Sequence, residues 1–490
     1  MPGTGRTERL LINGQLVPST DGGTFANINP ATEETLGVTA NGTTTDMDAA
    51  IGAARSAFDR TAWRTDHALR AHCLRQLRQA LVKNAAELRA DLVDEIGTPI
   101  TLTNGPQFDT PVEGIGWVAD LAESYAWEVD LGDVPRAGGG SSHRWLRREP
   151  IGVVGAITPW NFPTQINLAK IGPALAAGCT VVLKPAPDSP WAATALGRIA
   201  AEETELPAGV LNVVASSRHE VGQHLVKDPR VDMVSLTGST ATGRAVMTAA
   251  AGDLKKVFLE LGGKSALVAL DDADLAMAAI TAAFHITTHA GQGCAVLTRL
   301  LLPRAKYDEG VEALVETLRG WPYGDPKDPA NLMGPLISKR QRERVLGYVD
   351  KGVAEGGRIA LGGGIPRDLP KGWFVEPTVL IDVDENDTVA QEEIFGPVIC
   401  VLPYDGDDTE AVRMANNSAY GLSGAVISES AERGRAAAEC MRVGTVSING
   451  GNFYNFDVPF GGYRQSGIGR ESGVAGFEEY LEIKAMAEGI

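Results

Sequence analysis

Two residues of this chain are placed to do covalent chemistry on a carbonyl group. Cys294 ends the run His289-Ala290-Gly291-Gln292-Gly293-Cys294, where small residues follow an apolar stretch that begins at Ala282. Its thiol can therefore stand on a narrow turn within reach of a small molecule. Earlier in the chain, Glu260-Leu261-Gly262-Gly263-Lys264-Ser265 puts a carboxylate at the end of an apolar, strand-like run. The two glycines after it let the backbone turn tightly. A thiolate attacks carbonyl carbon readily, and a carboxylate can activate water against the acyl group that results, so the pair points to covalent acyl chemistry. A free thiol has a pKa of about 8.5, and activity near neutral pH requires its surroundings, or Glu260, to activate it.

The elements that must position these side chains read as two α/β units. Residues 151–157 and 181–184 are continuous apolar runs suited to buried parallel strands, and residues 167–177 between them have helical patterning. Residues 210–214 and 233–236 continue the series, giving a doubly wound α/β domain. After Gly263 the pattern restarts with strand-like residues 266–270, a helix from Asp274, a strand at 299–302, a helix from Asp308 and a strand at 398–402.

Upstream, residues 9–40 read as short strands with a hairpin turn at Asn13-Gly14, and residues 46–96 as helices with Asp46 capping the first. His67 and His72 fall on these helices as solvated polar positions. A helical segment ending near Val129, the glycine-serine break at 136–142 and a strand-like stretch at 143–148 together suggest a hairpin leaving the main body. Residues 444–469 are loop-rich and aromatic, and residues 477–483 read as a final edge strand.

The chain's 490 residues exceed the roughly 250–300 that one hydrophobic core usually serves, so two or more domains are expected. With 44% hydrophobic and 22% charged residues the composition is that of an ordinary globular protein. A formal charge of -18 disfavours nonspecific binding to nucleic acid or anionic membranes and leaves a small molecule as the expected partner. Residues 1–8 lack the apolar core of a secretory signal, and the longest apolar run, around 171–183, is short and interrupted by glycine. A cytoplasmic protein is expected. The five cysteines (73, 179, 294, 400 and 440) lie far apart without a C-x-x-C, so neither a zinc site nor a disulfide framework is indicated. The four besides Cys294 read as small core residues. His285 and His289 have i, i+4 spacing without the glutamate of a zinc-protease motif, and no metal is assigned.

Three further stretches bear on binding. Residues 236–244 form a glycine-containing turn between a buried strand and a helix, where backbone N–H groups and the helix dipole can hold a pyrophosphate. A purely structural turn explains it as well, since no G-x-G-x-x-G occurs in the chain. Lys184 ends a parallel strand, at the edge where ligands of open α/β folds collect, and reads equally as a solvated terminal lysine. Asn161, in Trp160-Asn161-Phe162-Pro163, shares that edge, where its amide can donate to a developing oxyanion or simply make a turn.

Taken together, the chain resembles the NAD(P)-dependent aldehyde dehydrogenase superfamily over nearly its whole length. The matching stretches are 159–163, Lys184-Pro185, Thr237-Gly238-Ser239, 260–264, Gly291-Gln292-Gly293-Cys294, 392–397 and Pro459-Phe460-Gly461-Gly462, in family order. The resemblance implies an aldehyde dehydrogenase-like α/β fold: a Rossmann-type cofactor domain (1–128 and 151–262), an α/β catalytic domain (263–465) and a β oligomerisation element (129–150 and 466–490). A homodimer or homotetramer is implied with it.

By the same resemblance Cys294 is the nucleophile, Glu260 the general base, Asn161 the oxyanion donor alongside the Cys294 backbone N–H, and Glu471 a second carboxylate that relays protons. Lys184 would bind the adenosine ribose, Gly238 and Ser239 would lie by the pyrophosphate, and Glu393 and Phe395 would position the nicotinamide ribose and ring. Ile157, Trp160 and Leu261 would complete the cofactor site. Phe162 and Phe460 would line the substrate tunnel, with residues 452–456 at its mouth. The implied reaction is oxidation of an aldehyde to a free acid through a thiohemiacetal and a thioester, since relatives that transfer the acyl group to coenzyme A commonly lack the carboxylate at Glu260. Pro187 stands where many NAD-linked members have glutamate, which implies NAD with NADP tolerated. No Arg or Lys lies among the tunnel residues, so a medium-chain aliphatic or aromatic aldehyde is expected. The alternatives are a cysteine hydrolase without redox chemistry, which leaves the Gly238 turn and the Glu393–Phe395 run without a role, and a noncatalytic binding protein on the same fold.

Overall fold

The continuous apolar runs fold into buried parallel strands, as expected where both faces of a sheet are covered. The structure is a computed structural model and describes residues 5–490. In its eight-stranded sheet the order is Gly467–Ile468, Lys256–Glu260, Met233–Thr237, Val153–Ile157, Thr180–Lys184, Leu211–Val213, Leu10–Ile12 and Gln15–Val17. The five central strands are mutually parallel, and the pairings outside them are antiparallel. Chain order runs outward from Val153–Ile157 through Thr180–Lys184 to Leu211–Val213, then reverses to Met233–Thr237 on the other side. That reversal is a topological switch point, and ligands of open α/β sheets bind outside the carboxyl ends of the strands there. The N-terminal hairpin turns at Asn13 (φ 50) and Gly14 (φ 74), both left-handed as a two-residue turn of this type requires.

A second, seven-stranded sheet has the order Arg358–Leu361, Thr378–Ile381, Val398–Tyr404, Leu297–Pro303, Ser265–Ala269, Ser423–Ile427 and Thr445–Ile448. All its pairings are parallel except that of the Arg358–Leu361 edge. Each large sheet has a hydrophobic cluster on either face. Glu128–Pro135, Ser141–Pro150 and Leu481–Gly489 form a third, antiparallel sheet, in which the tail pairs with the hairpin from Leu481 opposite Pro150 to Gly489 opposite Ser142. Before reaching it, the chain crosses between the two large sheets. Phe460 and Glu471 bridge each other, and Gly467 and Ile468 pair with Glu260 and Leu259. Among the described residues no helix is long and apolar enough to cross a membrane.

Several local expectations are corrected. Thr43 rather than Asp46 caps the helix Thr44–Arg60; Asp46 is the reciprocal member of a capping box, accepting from the Thr43 backbone N–H. The helix before the hairpin ends at Ser124, well short of Val129, which already lies in a strand. Residues 477–483 are not one strand: a short helix, Gly473–Glu478, precedes the strand Leu481–Gly489. Cys440 is exposed, whereas Cys73, Cys179 and Cys400 are buried. His67 is half-buried, with its ring 4.2 Å from that of Trp127, while His72 is exposed and bonds Glu205 at 2.9 Å.

Candidate active site

The turn that presents Cys294 is built from strained backbone. His289 (φ 46), Ala290 (φ 54) and Gly291 (φ 70) are successive left-handed residues, a conformation that costs a non-glycine residue about 1–2 kcal/mol. Packing fixes it. A Cβ on Gly291 would come within 2.1 Å of the Gly396 carbonyl oxygen, so only glycine fits. Gln292 ties the turn together: its backbone N–H and Nε2 donate to the His289 carbonyl at 3.2 and 3.0 Å, and its Oε1 accepts from the Ile337 N–H at 2.9 Å. The imidazole of His289 is buried edge-on to Phe162 (ring centroids 5.5 Å apart), and neither ring nitrogen has a hydrogen-bond partner. Burial pushes its pKa down to about 3, so the ring is neutral.

Asn161 reaches this turn from the carboxyl edge of the first sheet. Its Nδ2 donates to the Gln292 carbonyl at 2.9 Å, and its own backbone carbonyl is fixed by Gln107 Nε2 at 3.0 Å. One N–H of the amide remains for another acceptor beside Cys294. The antiparallel pairing of Lys256–Glu260 with Gly467–Ile468 holds Glu260 at the same edge, where it is 2% exposed and its Oε1 has no hydrogen-bond partner. Burial drives the Glu260 carboxyl well above the usual range and the charge of Glu471 pushes the same way, against Lys170 and a side-chain contact with the Cys294 thiol. Cys294 is half-buried; burial raises its thiol pKa well above the ordinary value, and the charges of Glu260 and Glu393 add to this. The resting pair is therefore a neutral thiol beside a desolvated carboxyl group.

Glu471 has a different environment. Its Oε1 lies 3.0 Å from Nζ of Lys170, a wholly buried lysine on the helix Pro163–Ala177. Lys170 also donates to Ser235 Oγ at 3.2 Å and stands 4.6 Å from the Phe258 ring centroid. Ser235 contacts the Tyr480 hydroxyl at 3.3 Å. Tyr454 is half-buried with its ring 6.2 Å from that of Phe460, and its phenol titration is shifted up by burial and by the nearby charges of Glu471, Cys294 and Glu260. Phe162, Tyr454 and Phe460 thus bring aromatic surface toward the thiol.

The other candidate residues line the carboxyl edge. Ile157, the last residue of its strand, stands opposite Leu236 and Lys184 in the ladder. The Gly238 N–H donates to the Glu260 carbonyl at 3.0 Å, and Ser239 caps the helix Thr240–Ala250 by accepting from the Thr242 N–H at 3.2 Å. Lys184 is buried and donates to the carbonyls of Pro185 (3.1 Å) and Ser216 (3.2 Å); burial lowers its pKa to about 8. The Leu261 N–H donates to the Ser466 carbonyl at 2.9 Å. Glu393 Oε1 accepts from the Gly263 N–H at 3.0 Å, and burial raises the carboxyl to about 7. Phe395, at φ 63, meets Trp160 edge-on with centroids 5.3 Å apart.

This edge fits a dinucleotide. The buried hydroxyls of Thr158 and Thr237 lack partners, Lys184 supplies a cation, and a Cβ on Gly238 would meet only Leu236, at 3.7 Å, so the backbone there is open to a close ligand. The one possible metal cluster among the described residues, Asp48, His224 and Asp228, lies elsewhere and already holds the Arg230 guanidinium at 2.5 and 2.6 Å.

The sequence profile of the Aldehyde dehydrogenase family matches residues 16–486. The chain belongs to the aldehyde dehydrogenase family. It is 43% identical over 486 residues to a 3-succinoylsemialdehyde-pyridine dehydrogenase from a Pseudomonas species, covering 97% of this chain and 98% of that one. It is 40% identical over 488 residues to a putative aldehyde dehydrogenase of Staphylococcus aureus, with 98% of each chain covered. Among solved structures, the NAD+ complex of an aldehyde dehydrogenase from Bacillus cereus superposes with a TM-score of 0.94 at 38% identity, over 99% of this chain and 97% of that one. A betaine aldehyde dehydrogenase from Staphylococcus aureus in complex with NAD+ also gives 0.94, at 34% identity over 98% and 94%.

In this aldehyde dehydrogenase fold the structure gathers Cys294, Glu260, Asn161 and Glu471 on one side of the switch-point edge, with Glu393 and Phe395 contributed by the second sheet. Sequence reasoning missed Lys170, Gln107 and the closeness of Tyr454 to the thiol. A single lysine inside the apolar run Ile166–Ile171 was the available signal for the first.

Proposed function

We propose that this enzyme oxidises an aldehyde to the free carboxylic acid through a covalent bond to Cys294, using NAD bound along the switch-point edge. One observation carries the reading: the Asn161 amide, the Cys294 turn and the unpaired Glu260 carboxyl come together although they belong to different elements. The thiol proton passes to Glu260 as sulfur bonds the carbonyl carbon, giving a thiohemiacetal. Its oxygen develops negative charge, held by the free N–H of Asn161 and the backbone N–H of Cys294. Bound at the switch-point edge, NAD would supply the hydride acceptor for this carbon, whose carbonyl re-forms as a thioester on Cys294. Glu260, having passed its proton on toward the Glu471 carboxylate, takes a proton from water. The water oxygen attacks the thioester, the C–S bond breaks, and the acid leaves a free thiol.

For the cofactor, Lys184 and the Gly238–Ser239 turn would hold the adenosine ribose and pyrophosphate, and Glu393, Phe395 and Trp160 the nicotinamide end, with Ile157 and Leu261 packing beneath. The NAD+ complexes of the two superposing relatives support this assignment. Phe162, Tyr454 and Phe460 support an uncharged aromatic or medium-chain aliphatic substrate, and the 43% identical relative is named for a semialdehyde carrying a pyridine ring. We assign residues 129–150 and the tail to subunit contact in a homodimer or homotetramer, since the tail strand Leu481–Gly489 leaves one edge of its sheet unpaired.

The test is an aldehyde panel followed by NADH absorbance, run on the wild type and on Asn161→Ala. Losing one oxyanion donor raises the barrier by about 2.7–4 kcal/mol, so turnover should fall roughly 10²–10³-fold with NAD binding retained. Near-normal turnover removes Asn161 from the mechanism. Hydrolysis of activated esters with no NADH from any aldehyde would favour a plain cysteine hydrolase.

A further inference from the structure

We infer that Asp188 is the residue that selects NAD over NADP, an inference that rests on the proposed binding of a dinucleotide at this edge. Thr180–Lys184 is the second parallel strand of the unit, next to the switch-point strand. In dinucleotide-binding sheets the residues at the carboxyl end of this strand meet the adenosine ribose, where a carboxylate accepts from the hydroxyls and repels a 2′-phosphate. Here the strand ends in Lys184 and leads into Pro185-Ala186-Pro187-Asp188-Ser189 before the helix Pro190–Glu203. Pro187 is exposed and has no polar side-chain atom.

Asp188 is the first acid after the strand. Its side chain is 28% exposed, burial raises its pKa, and its charge and that of Lys184 act on each other. Its ion pair, with Arg340 at 3.7 Å, is longer than the 2.7–2.9 Å of a charge-assisted hydrogen bond, and the Arg340 side chain is 83% exposed. The carboxylate therefore keeps acceptor capacity. Lys184 Nζ has three N–H groups, of which two meet the Pro185 and Ser216 carbonyls. Gly222 packs against the other side of the lysine, where an added Cβ would sit 3.4 Å from its Cδ, so the side chain has little room to swing away. Lys184 and Asp188 thus bring a donor and an acceptor to the carboxyl end of one strand, the two kinds of group a vicinal diol satisfies. A 2′-phosphate there would set two further negative charges against Asp188.

The experiment is equilibrium titration of NAD+ and NADP+ into the full-length protein by calorimetry, on the wild type, Asp188→Asn, Asp188→Ala and Arg340→Ala. The wild type should bind NAD+ at least tenfold more tightly than NADP+. Asp188→Asn keeps the size of the side chain and removes its charge, and both Asp188 variants should shift the ratio toward NADP+ by at least tenfold. An unchanged ratio in Asp188→Asn and Asp188→Ala overturns the inference while leaving the dinucleotide reading in place. A wild type that prefers NADP+ and loses that preference in Arg340→Ala also overturns it, assigning the position to the guanidinium. Failure of the wild type to bind either dinucleotide overturns both.

Discussion

The pocket around Glu471 and the pocket around Cys294 adjoin at the same sheet edge, yet they treat charge in opposite ways. Around Glu471 every charge has a partner: Lys170 is 3.0 Å away, and Ser235 and the Phe258 ring complete the lysine's surroundings. Around Cys294 the thiol and the Glu260 carboxyl face each other with no cation bonded to either, and the Asn161 Oδ1, Glu260 Oε1 and both His289 nitrogens lack partners. The first arrangement sets opposite charges within 3.0 Å of each other. The second keeps the thiol protonated and leaves hydrogen-bonding capacity open until a substrate arrives. Unsatisfied polar atoms concentrated in one wall of a pocket indicate where a reacting group belongs.

The largest effect should come from breaking the compensated pocket. Lys170→Met removes the cation and leaves the Glu471 carboxyl buried without it, which typically costs about 3–5 kcal/mol. The urea midpoint should fall accordingly, and Lys170→Met with Glu471→Gln should recover most of the loss because the stranded charge is gone. Equal stability of the single and double variants would show that Glu471 is already neutral, and the contrast between the pockets would disappear.

The matching change in the uncompensated pocket should act with the opposite sign. Glu260→Gln removes the negative charge that, after burial, most strongly holds the Cys294 proton. The thiol pKa must then fall, more thiolate is present at a fixed pH below it, and alkylation of Cys294 by iodoacetamide at pH 8 should run severalfold faster. Stability should be unchanged or higher. Turnover should still collapse, with a thioacyl adduct on Cys294 visible by mass spectrometry, because the base for hydrolysis is missing. Slower alkylation would mean that Glu260 activates the thiol at rest instead of holding its proton.

The two pockets also differed in how far the amino-acid sequence revealed them. The strands beneath both were legible because parallel strands covered on both faces are nearly continuous apolar runs, as residues 151–157 are and residues 233–236 are but for Ser235. Glu260, Asn161 and Cys294 could be proposed from residue type and family resemblance, but their spacing alone did not place them together. Lys170 was not legible as a partner of Glu471, since the two lie 301 positions apart and meet only because residues 460–471 cross back to the first sheet. Nothing in the type of Ala290 favours a left-handed backbone, and only the fold shows that Gly291 lies too close to Gly396 for a side chain. Asp46 and Thr43 both suit a helix start, and only the geometry decides which caps. The short helix Gly473–Glu478 has glycine at both Gly473 and Gly476, so its pattern carries little helical signal.

The smallest effect, and the sharpest measure of how far compensation extends, should come from Tyr480→Phe. The ring stays buried, and the backbone bonds of residue 480, which accept from the Ile151 N–H at 3.0 Å and the Cys179 thiol at 3.4 Å, do not involve the hydroxyl. Only the 3.3 Å contact with Ser235 is lost, and Ser235 Oγ still accepts from Lys170 at 3.2 Å, so no buried atom is stranded. A hydrogen bond removed in this way costs about 0.5–1.5 kcal/mol. A loss within that range places the compensation in the Lys170–Glu471 pair itself. A loss as large as that of Lys170→Met would mean that Ser235 and Tyr480 are integral to holding the lysine in place, and that the compensated region runs from Glu471 through the sheet to the start of the tail.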